Sequence, residues 1–170
     1  MYQHVILSIM LASPLAAQTP ATTKPAAPAA KPAGDTQKPA ASAKGVRTVE
    51  IVGTDDMKFS LVTIAAKPGE QLRVRLTVKG GMPKIAMAHN FVLLKKGASQ
   101  VDFVTAAMAA RPDFIPADKK ADIIASTGLA GAGETVEVTF KVPAAAGEYP
   151  YICSFPGHFQ AGMKGMLSVK

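Results

Sequence analysis

A short segment near the C-terminus concentrates side chains that bind soft metal ions. Cys153, His158 and Met163 follow one another with four residues in each interval. The segment also holds residues that favour tight turns: Pro156, Gly157 and Gly162. Far upstream, His89 is the only other histidine outside the N-terminal segment. If the chain folds so that His89 meets this loop, two imidazoles, one thiol and one thioether come together.

This donor set is the one that defines a blue-copper centre, a trigonal plane of two histidines and one cysteine with a weak axial methionine. Thiolate and imidazole are acceptable to both Cu(I) and Cu(II), so an electron can be gained or lost with little rearrangement. The sequence therefore predicts one type 1 copper ion at His89, Cys153, His158 and Met163. The predicted activity is electron transfer, without substrate turnover of its own.

Other interpretations of the same residues stay open. Zinc accepts two histidines and a cysteine, although it prefers a thiolate, imidazole or carboxylate to a thioether as fourth ligand. A Cys–His nucleophilic enzyme would need an orienting residue, a role open to Asn90. A copper buffer or chaperone of the cell envelope is the alternative function. Met166 is the nearest competitor of Met163, and we expect it to fill the core.

The rest of the chain divides into three parts by composition. Residues 1–17 contain an apolar run followed by small residues, typical of a secretory signal peptide cleaved after Ala17. Residues 18–46 are rich in Ala, Pro and Lys, which predicts a disordered linker. Residues 47–170 form the predicted copper-binding domain. We therefore expect a periplasmic or otherwise exported protein of the envelope.

Charge and cysteine content narrow the possible partners. The formal net charge is +7, but four of the 19 basic residues lie in the linker. No basic stripe with interleaved aromatic residues is present, which argues against a nucleic-acid partner. Cys153 is the one cysteine, so no internal disulfide can form and a metal is an economical explanation of an exported thiol. We expect a monomer.

Alternating apolar and polar residues beyond Arg47 predict an all-β Greek-key sandwich of about seven or eight strands with a short helical insertion. The predicted strands are 47–52, 61–65, 71–78, 89–94, 135–142, 149–153 and 163–169. The predicted helices are Val101–Met108 and Ala117–Ile124. The strand over 89–94 is apolar almost throughout, which indicates burial on both faces.

A family resemblance extends over residues 47–170, and four stretches within this range carry it. They are Asp56-Met-Lys-Phe59, the segment 82–93 that contains His89, the segment 128–140, and the ending from Cys153 to Lys170. With these motifs the chain resembles the cupredoxins, in particular azurins and auracyanins. The azurins' structural disulfide is absent, and Ala88 stands where azurins have a glycine whose carbonyl approaches the metal.

The resemblance implies roles for individual residues. His89, Cys153 and His158 would be equatorial ligands and Met163 the axial ligand. The backbone N–H groups of Asn90 and Phe155 would donate to the Cys153 sulfur, and the Asn90 side chain would bind Ser154 in the loop.

Partner contact is expected around one of the ligands. His158 would reach the surface through an apolar collar that suits brief docking of redox proteins such as cytochromes. The collar residues are Met82, Ile85, Met87, Phe155 and Pro156.

Overall fold

The computed structural model describes residues 45–170, and the predicted signal peptide and nearly all of the predicted linker lie outside them. Within this range the chain forms nine strands, one α-helix and one 3-10 helix. The strands are β1 (Val46–Thr54), β2 (Lys58–Phe59), β3 (Thr63–Ala66), β4 (Gln71–Lys79), β5 (Val92–Leu94), β6 (Ile123–Ser126), β7 (Thr135–Lys141), β8 (Gly147–Ile152) and β9 (Lys164–Val169). The helices are α1 (Gln100–Ala107) and a 3-10 helix over Ala117–Asp122.

Two sheets make up the fold. One has the strand order β2-β1-β4-β7 and the other β3-β9-β8-β5-β6. The β1–β4 and β3–β9 pairs are parallel, whereas the remaining pairs are antiparallel. The prediction of an all-β sandwich is confirmed, with nine strands in the described residues where seven or eight were expected.

Strand β4 shows why this sequence forms a half-buried strand. Leu72, Val74, Leu76 and Val78 are at most 1% exposed, and the residues between them point to the other face. Leu72, Val74 and Leu76 pack in one core with residues of both sheets. Burial of apolar area at period 2 therefore fixes which face of β4 turns inward.

Strand β5 is buried on both faces, as the apolar run predicted. Leu93 belongs to the main core between the sheets, whereas Val92 and Leu94 pack with Phe103 and Val104 of α1. Helix α1 begins after Ser99, whose side chain accepts a hydrogen bond from the Asp102 N–H, and it covers the outer side of the five-stranded sheet. No helix among the described residues is long and apolar enough to cross a membrane.

Two predicted elements differ from the structure. The strand predicted over 89–94 is regular only at Val92–Leu94, and His89 makes an isolated bridge with Ala130. The helix predicted over Ala117–Ile124 is a 3-10 helix that ends at Asp122, and Ile123 begins β6. Ile123 and Ile124 are β-branched, and β-branched residues favour strands over helices.

Candidate metal centre

Three of the four predicted ligands converge at one end of the sandwich. Cys153 directly follows β8, His89 lies three residues before β5, and His158 lies in the loop between β8 and β9. The two histidine Nδ1 atoms are 3.1 Å apart, and Cys153 Sγ lies 3.4 Å from His158 Nδ1. The three ligand atoms lie within 4.8 Å of one another. Residues separated by 69 positions in sequence thus form one cluster.

Met163 lies beside this cluster, and Met166 does not share its environment. Met163 is completely buried and packs in the same core as Cys153. Met166 is only half-buried and lines a surface groove with Val62 and Phe159. The expectation that Met166 fills the core is therefore wrong, and Met163 is the methionine placed toward the cluster.

The segment that carries His89 leaves the sheet but keeps its backbone hydrogen bonds. The N–H and carbonyl of His89 pair with those of Ala130, at 2.9 and 2.8 Å. Two residues on, the Phe91 N–H donates to Thr127 Oγ, and the Thr127 N–H donates to the Phe91 carbonyl. The chain around 127–130 thus holds the His89 backbone in place, while the main β5–β8 ladder begins only at Val92.

The loop from Cys153 to Met163 is closed by its own backbone. The Cys153 N–H donates to the Met163 carbonyl at 3.1 Å, and the Met163 N–H donates to the His158 carbonyl at 2.9 Å. Gly157 and Gly162 have φ of 85° and 98°, a region where glycine avoids the strain of a side chain. The turn residues seen in the sequence therefore allow the loop to fold back, so that Met163 lies beside Cys153.

Asn90 connects the two ligand-bearing segments. Its Nδ2 donates to Ser154 Oγ at 2.9 Å, and its Oδ1 accepts from the Ser154 N–H at 2.8 Å. Asn90 and Ser154 are both buried, so each of these hydrogen bonds satisfies a polar group that water does not reach. The segment next to His89 and the residue after Cys153 are consequently held in one fixed relation.

The surroundings of Cys153 disfavour a free thiolate. Complete burial raises the pKa of the Cys153 thiol to about 12, although hydrogen bonds from the backbones of Asn90 and Phe155 partly oppose this. A thiol in such a site keeps its proton unless a nearby cation compensates the charge. A metal cation provides that compensation, because it deprotonates a coordinating thiol.

The two imidazoles favour their neutral form. Burial, reinforced by the charge of His89, lowers the pKa of His158 to about 4. Burial also lowers the pKa of His89, against the opposing effects of Asp55 and the Thr54 backbone. Neutral imidazole is the form that binds metals. Two neutral imidazoles facing one buried thiol, with a thioether beside them, fit a copper ion that cycles between two oxidation states.

The segments of the expected collar carry apolar side chains of unequal exposure. Ile85 is 89% exposed and Met82 is 45% exposed, whereas Met87 and Phe155 are half-buried. His158 itself is buried, with the Phe155 ring centroid 4.7 Å from its own. The structure therefore differs from the expectation that His158 reaches the surface: Met82 and Ile85 of the collar are exposed, but the imidazole is buried.

The segment that carries Met82 and Ile85 is fastened to the sandwich at two points. The Gly81 N–H donates to Asp55 Oδ2 at 2.8 Å, and Lys84 Nζ lies 2.6 Å from Glu134 Oε2. The hydrogen bond from Lys84 is the main cause of a lowered pKa of Glu134. Met82 therefore lies between the two anchored residues, and Ile85 directly follows the second.

Sequence reasoning missed two contributors to the centre. Thr127 fixes the backbone beyond His89, as described above, and no local pattern identifies it. Gly53 on β1 lies directly under the site, and a Cβ there would be 3.1 Å from Met163 Cε and 3.2 Å from His89 Cδ2. The signal that could have found Gly53 is a glycine at an inward-facing position of an alternating strand.

Comparison with known proteins gives one consistent result. The sequence profile of the copper binding proteins, plastocyanin/azurin family, matches residues 46–170. Azurin-1 of Alcaligenes xylosoxydans xylosoxydans is 42% identical over 127 residues, covering 72% of this chain and 96% of azurin-1. Auracyanin-A of Chloroflexus aurantiacus is 36% identical over 132 residues, covering 75% of this chain and 77% of the relative.

Comparison with solved structures also finds copper proteins of the auracyanin type. The structure of auracyanin A, described as a "blue" copper protein, superposes with a TM-score of 0.66 at 36% identity, covering 74% of this chain and 100% of auracyanin A. Dithionite-reduced auracyanin of Roseiflexus castenholzii superposes with a TM-score of 0.65 at 30% identity, covering 72% of this chain and 96% of the other.

Proposed function

Since this chain belongs to the plastocyanin/azurin family of copper-binding proteins, we propose that it carries single electrons between larger redox proteins. Its cofactor is copper, and the site formed by His89, Cys153 and His158 is compatible with a single type 1 ion. Copper bound there supplies one-electron chemistry through the Cu(I)/Cu(II) couple. The observation that carries the proposal is the convergence of these three side chains in one buried cluster.

The chain's own residues have distinct roles in this proposal. His89, Cys153 and His158 would hold the ion, and Met163 would be a fourth, weaker ligand. The Asn90–Ser154 hydrogen bonds keep the two ligand segments in a fixed relation, so the site has little freedom to rearrange when the oxidation state changes. The backbone N–H groups of Asn90 and Phe155 would donate to the sulfur, which agrees with their opposing the rise in the pKa of the Cys153 thiol. The Ala88 carbonyl is left out of the ligand set.

Burial favours a carrier over a copper buffer. His89, Cys153 and Met163 are completely buried, and His158 is 2% exposed. A protein that hands copper to other proteins needs ligands that an acceptor can reach, whereas an electron can leave a buried site without exchange of the ion. The site therefore suits retention of the metal during turnover.

The apolar collar is the proposed docking surface for redox partners. Its members Met82 and Ile85 are exposed, and Phe155 connects the collar to the His158 ring. A small apolar surface suits short-lived complexes with low buried area. We place the protein in the periplasm or cell envelope as a monomer, with the first 17 residues as an export signal. The proposed linker runs from residue 18 to residue 45, because Val46, the last residue of the predicted linker, begins β1.

Redox titration of the copper-loaded protein tests the carrier function. The oxidised protein is expected to show an intense visible band that disappears on addition of one electron equivalent and returns on reoxidation. A copper chelator added between cycles should remove little metal, because the ligands are buried. Rapid transfer of copper to the chelator, with no reversible band, would instead identify a copper buffer.

Electron transfer to a soluble c-type cytochrome tests the collar. Ile85→Lys should slow the bimolecular reaction, since it puts a charge at the most exposed collar position, while leaving the visible spectrum intact. Val101→Lys is the matched control, because Val101 is 62% exposed on α1, outside the collar. Equal rates in both variants would remove the collar from the proposal.

A further inference from the structure

Gly53 occupies the inward-facing end of an otherwise ordinary strand. In β1, Val49 and Ile51 are buried and point into the core, and Gly53 continues the same alternation. It pairs with Phe59 of β2 and with Val78 of β4, so the ladder is regular at this point. A side chain at position 53 would therefore point toward the centre described above.

The backbone at Gly53 gives no reason for a glycine. Its φ lies outside the positive region that side chains rarely adopt, in contrast to Gly157 and Gly162. Glycine inside a strand costs stability, because it loses more conformational freedom on folding and packs nothing. A strand residue such as alanine would thus be favoured by local energetics. The reason for a glycine at position 53 must therefore lie in the side chains that face the inward side of β1.

Two predicted ligand side chains lie in tight contact with the position that a Cβ would take. A Cβ at position 53 would lie 3.1 Å from Met163 Cε, 3.2 Å from His89 Cδ2 and 3.3 Å from His89 Cγ. Such carbon–carbon separations are shorter than the optimum of about 3.5–4.0 Å. A methyl group here would press on the Met163 thioether and on the His89 imidazole at once.

We propose that Gly53 is a positioning residue for the copper site: its missing side chain sets where Met163 and His89 lie. The inference rests on the proposed function, because it concerns the geometry of the same centre. Of the two displaced groups, the thioether is held more weakly, so Met163 moves first. A more distant thioether donates less to Cu(II), which favours Cu(I) and raises the reduction potential.

Gly53→Ala is the direct test, with Val52→Ala as its control. Val52 precedes Gly53 in β1 and lies on the opposite face of the strand, so its side chain points away from the centre. Three readouts are compared: the visible and EPR spectra, the reduction potential, and the rise in melting temperature that copper loading produces. Gly53→Ala should shift the spectra, raise the potential and reduce the copper-induced rise. Val52→Ala should match the native protein in all three.

The outcomes separate this inference from the proposed function. If the copper-loaded native protein lacks the intense visible band, both the proposed function and the role of Gly53 are wrong. A native protein with the band, but a Gly53→Ala variant with unchanged spectra and potential, defeats only the role of Gly53. If Gly53→Ala does not fold, it is repeated with Met163→Ala, which removes the nearest clashing atom. Recovery of the fold in the double variant supports the inference, and failure to fold there as well overturns it.

Discussion

Strand β4 of the four-stranded sheet and the copper end of the molecule place their polar side chains in opposite ways. On β4, buried positions are apolar and polar side chains lie on the other face, where Arg75 pairs with Glu50 at 3.2 Å and Glu137 at 3.4 Å. At the copper end, the buried positions include His89, Asn90, Ser154 and His158. The sheet gains stability from apolar burial, whereas the copper end keeps polar groups inside: Asn90 and Ser154 satisfy each other, while the buried His89 Nε2 has no hydrogen-bond partner.

This difference teaches that stability and redox chemistry can be altered separately. Substitutions in the sheet should change the free energy of unfolding and leave the copper spectrum intact. Substitutions at the copper end should change the spectrum or potential, with a smaller effect on the fold. The following five changes test this separation in order of expected effect.

Cys153→Ser should abolish the visible band completely. A hydroxyl cannot replace the thiolate donor that gives the blue-copper centre its character. Optical spectroscopy after copper loading measures the band, and circular dichroism confirms that the fold is retained. Persistence of the intense band in this variant would mean that the sulfur is not a ligand.

Leu76→Ala should destabilise the copper-free protein by about 2–5 kcal/mol, as expected for a large-to-small change in a core. Leu76 is completely buried in the main core. The control is Thr77→Ala on the opposite face, which loses one cross-strand contact to Thr135 and should cost about 0.2–1 kcal/mol. Denaturant unfolding gives both values. A changed copper spectrum for Leu76→Ala would break the proposed separation.

Asn90→Ala should cost about 1–3 kcal/mol and also shift the copper spectrum. The substitution leaves the buried Ser154 N–H without its acceptor. The segment that carries Cys153 then loses its connection to the segment that carries His89. Ser154→Ala is the milder comparison, because it removes only the hydroxyl. If both variants kept the native spectrum, the hydrogen bonds between the two segments would have no part in fixing the site.

Met163→Leu should keep the visible colour and raise the reduction potential. Leucine fills a similar volume but removes the weak axial donor, so the fold should lose less than about 1.5 kcal/mol. Met166→Leu is the matched control, since Met166 lies in a surface groove. Cyclic voltammetry measures both potentials. Identical potentials in the two variants would exclude Met163 from the ligand set.

Arg75→Ala should have the smallest effect, at most about 1 kcal/mol at low salt and less at high salt. Both of its ion pairs are solvent-exposed, with the Arg75 side chain 44% exposed. Denaturant unfolding at two salt concentrations measures this. A loss of several kcal/mol would mean that the sheet depends on its surface charges, contrary to the comparison drawn above.

The sequence was most informative where a pattern is local. The alternation in β4 and the Cys-x₄-His-x₄-Met spacing each follow from neighbouring residues, and the predicted strand and the predicted meeting of Cys153 with His158 both agree with the structure. The bridge of His89 to Ala130 and the part played by Thr127 depend on contacts about 40 residues apart, and no short pattern reports them.

The errors have the same origin. The strand predicted from His89 onward was cut short because a run of apolar residues does not reveal which partner each one faces. The covering of His158 by Phe155 depends on side-chain packing that spacing alone does not determine. Gly53 was missed because an absent side chain carries no chemistry until its neighbours are known.

EPR spectroscopy of the copper-loaded native protein tests the central claim most directly. A buried site with two imidazoles, one thiolate and a weak thioether should give a narrow copper hyperfine splitting together with an intense visible absorption. A wide splitting typical of an ordinary tetragonal Cu(II) complex, in a colourless protein, would contradict the type 1 site and the electron-carrier function built on it.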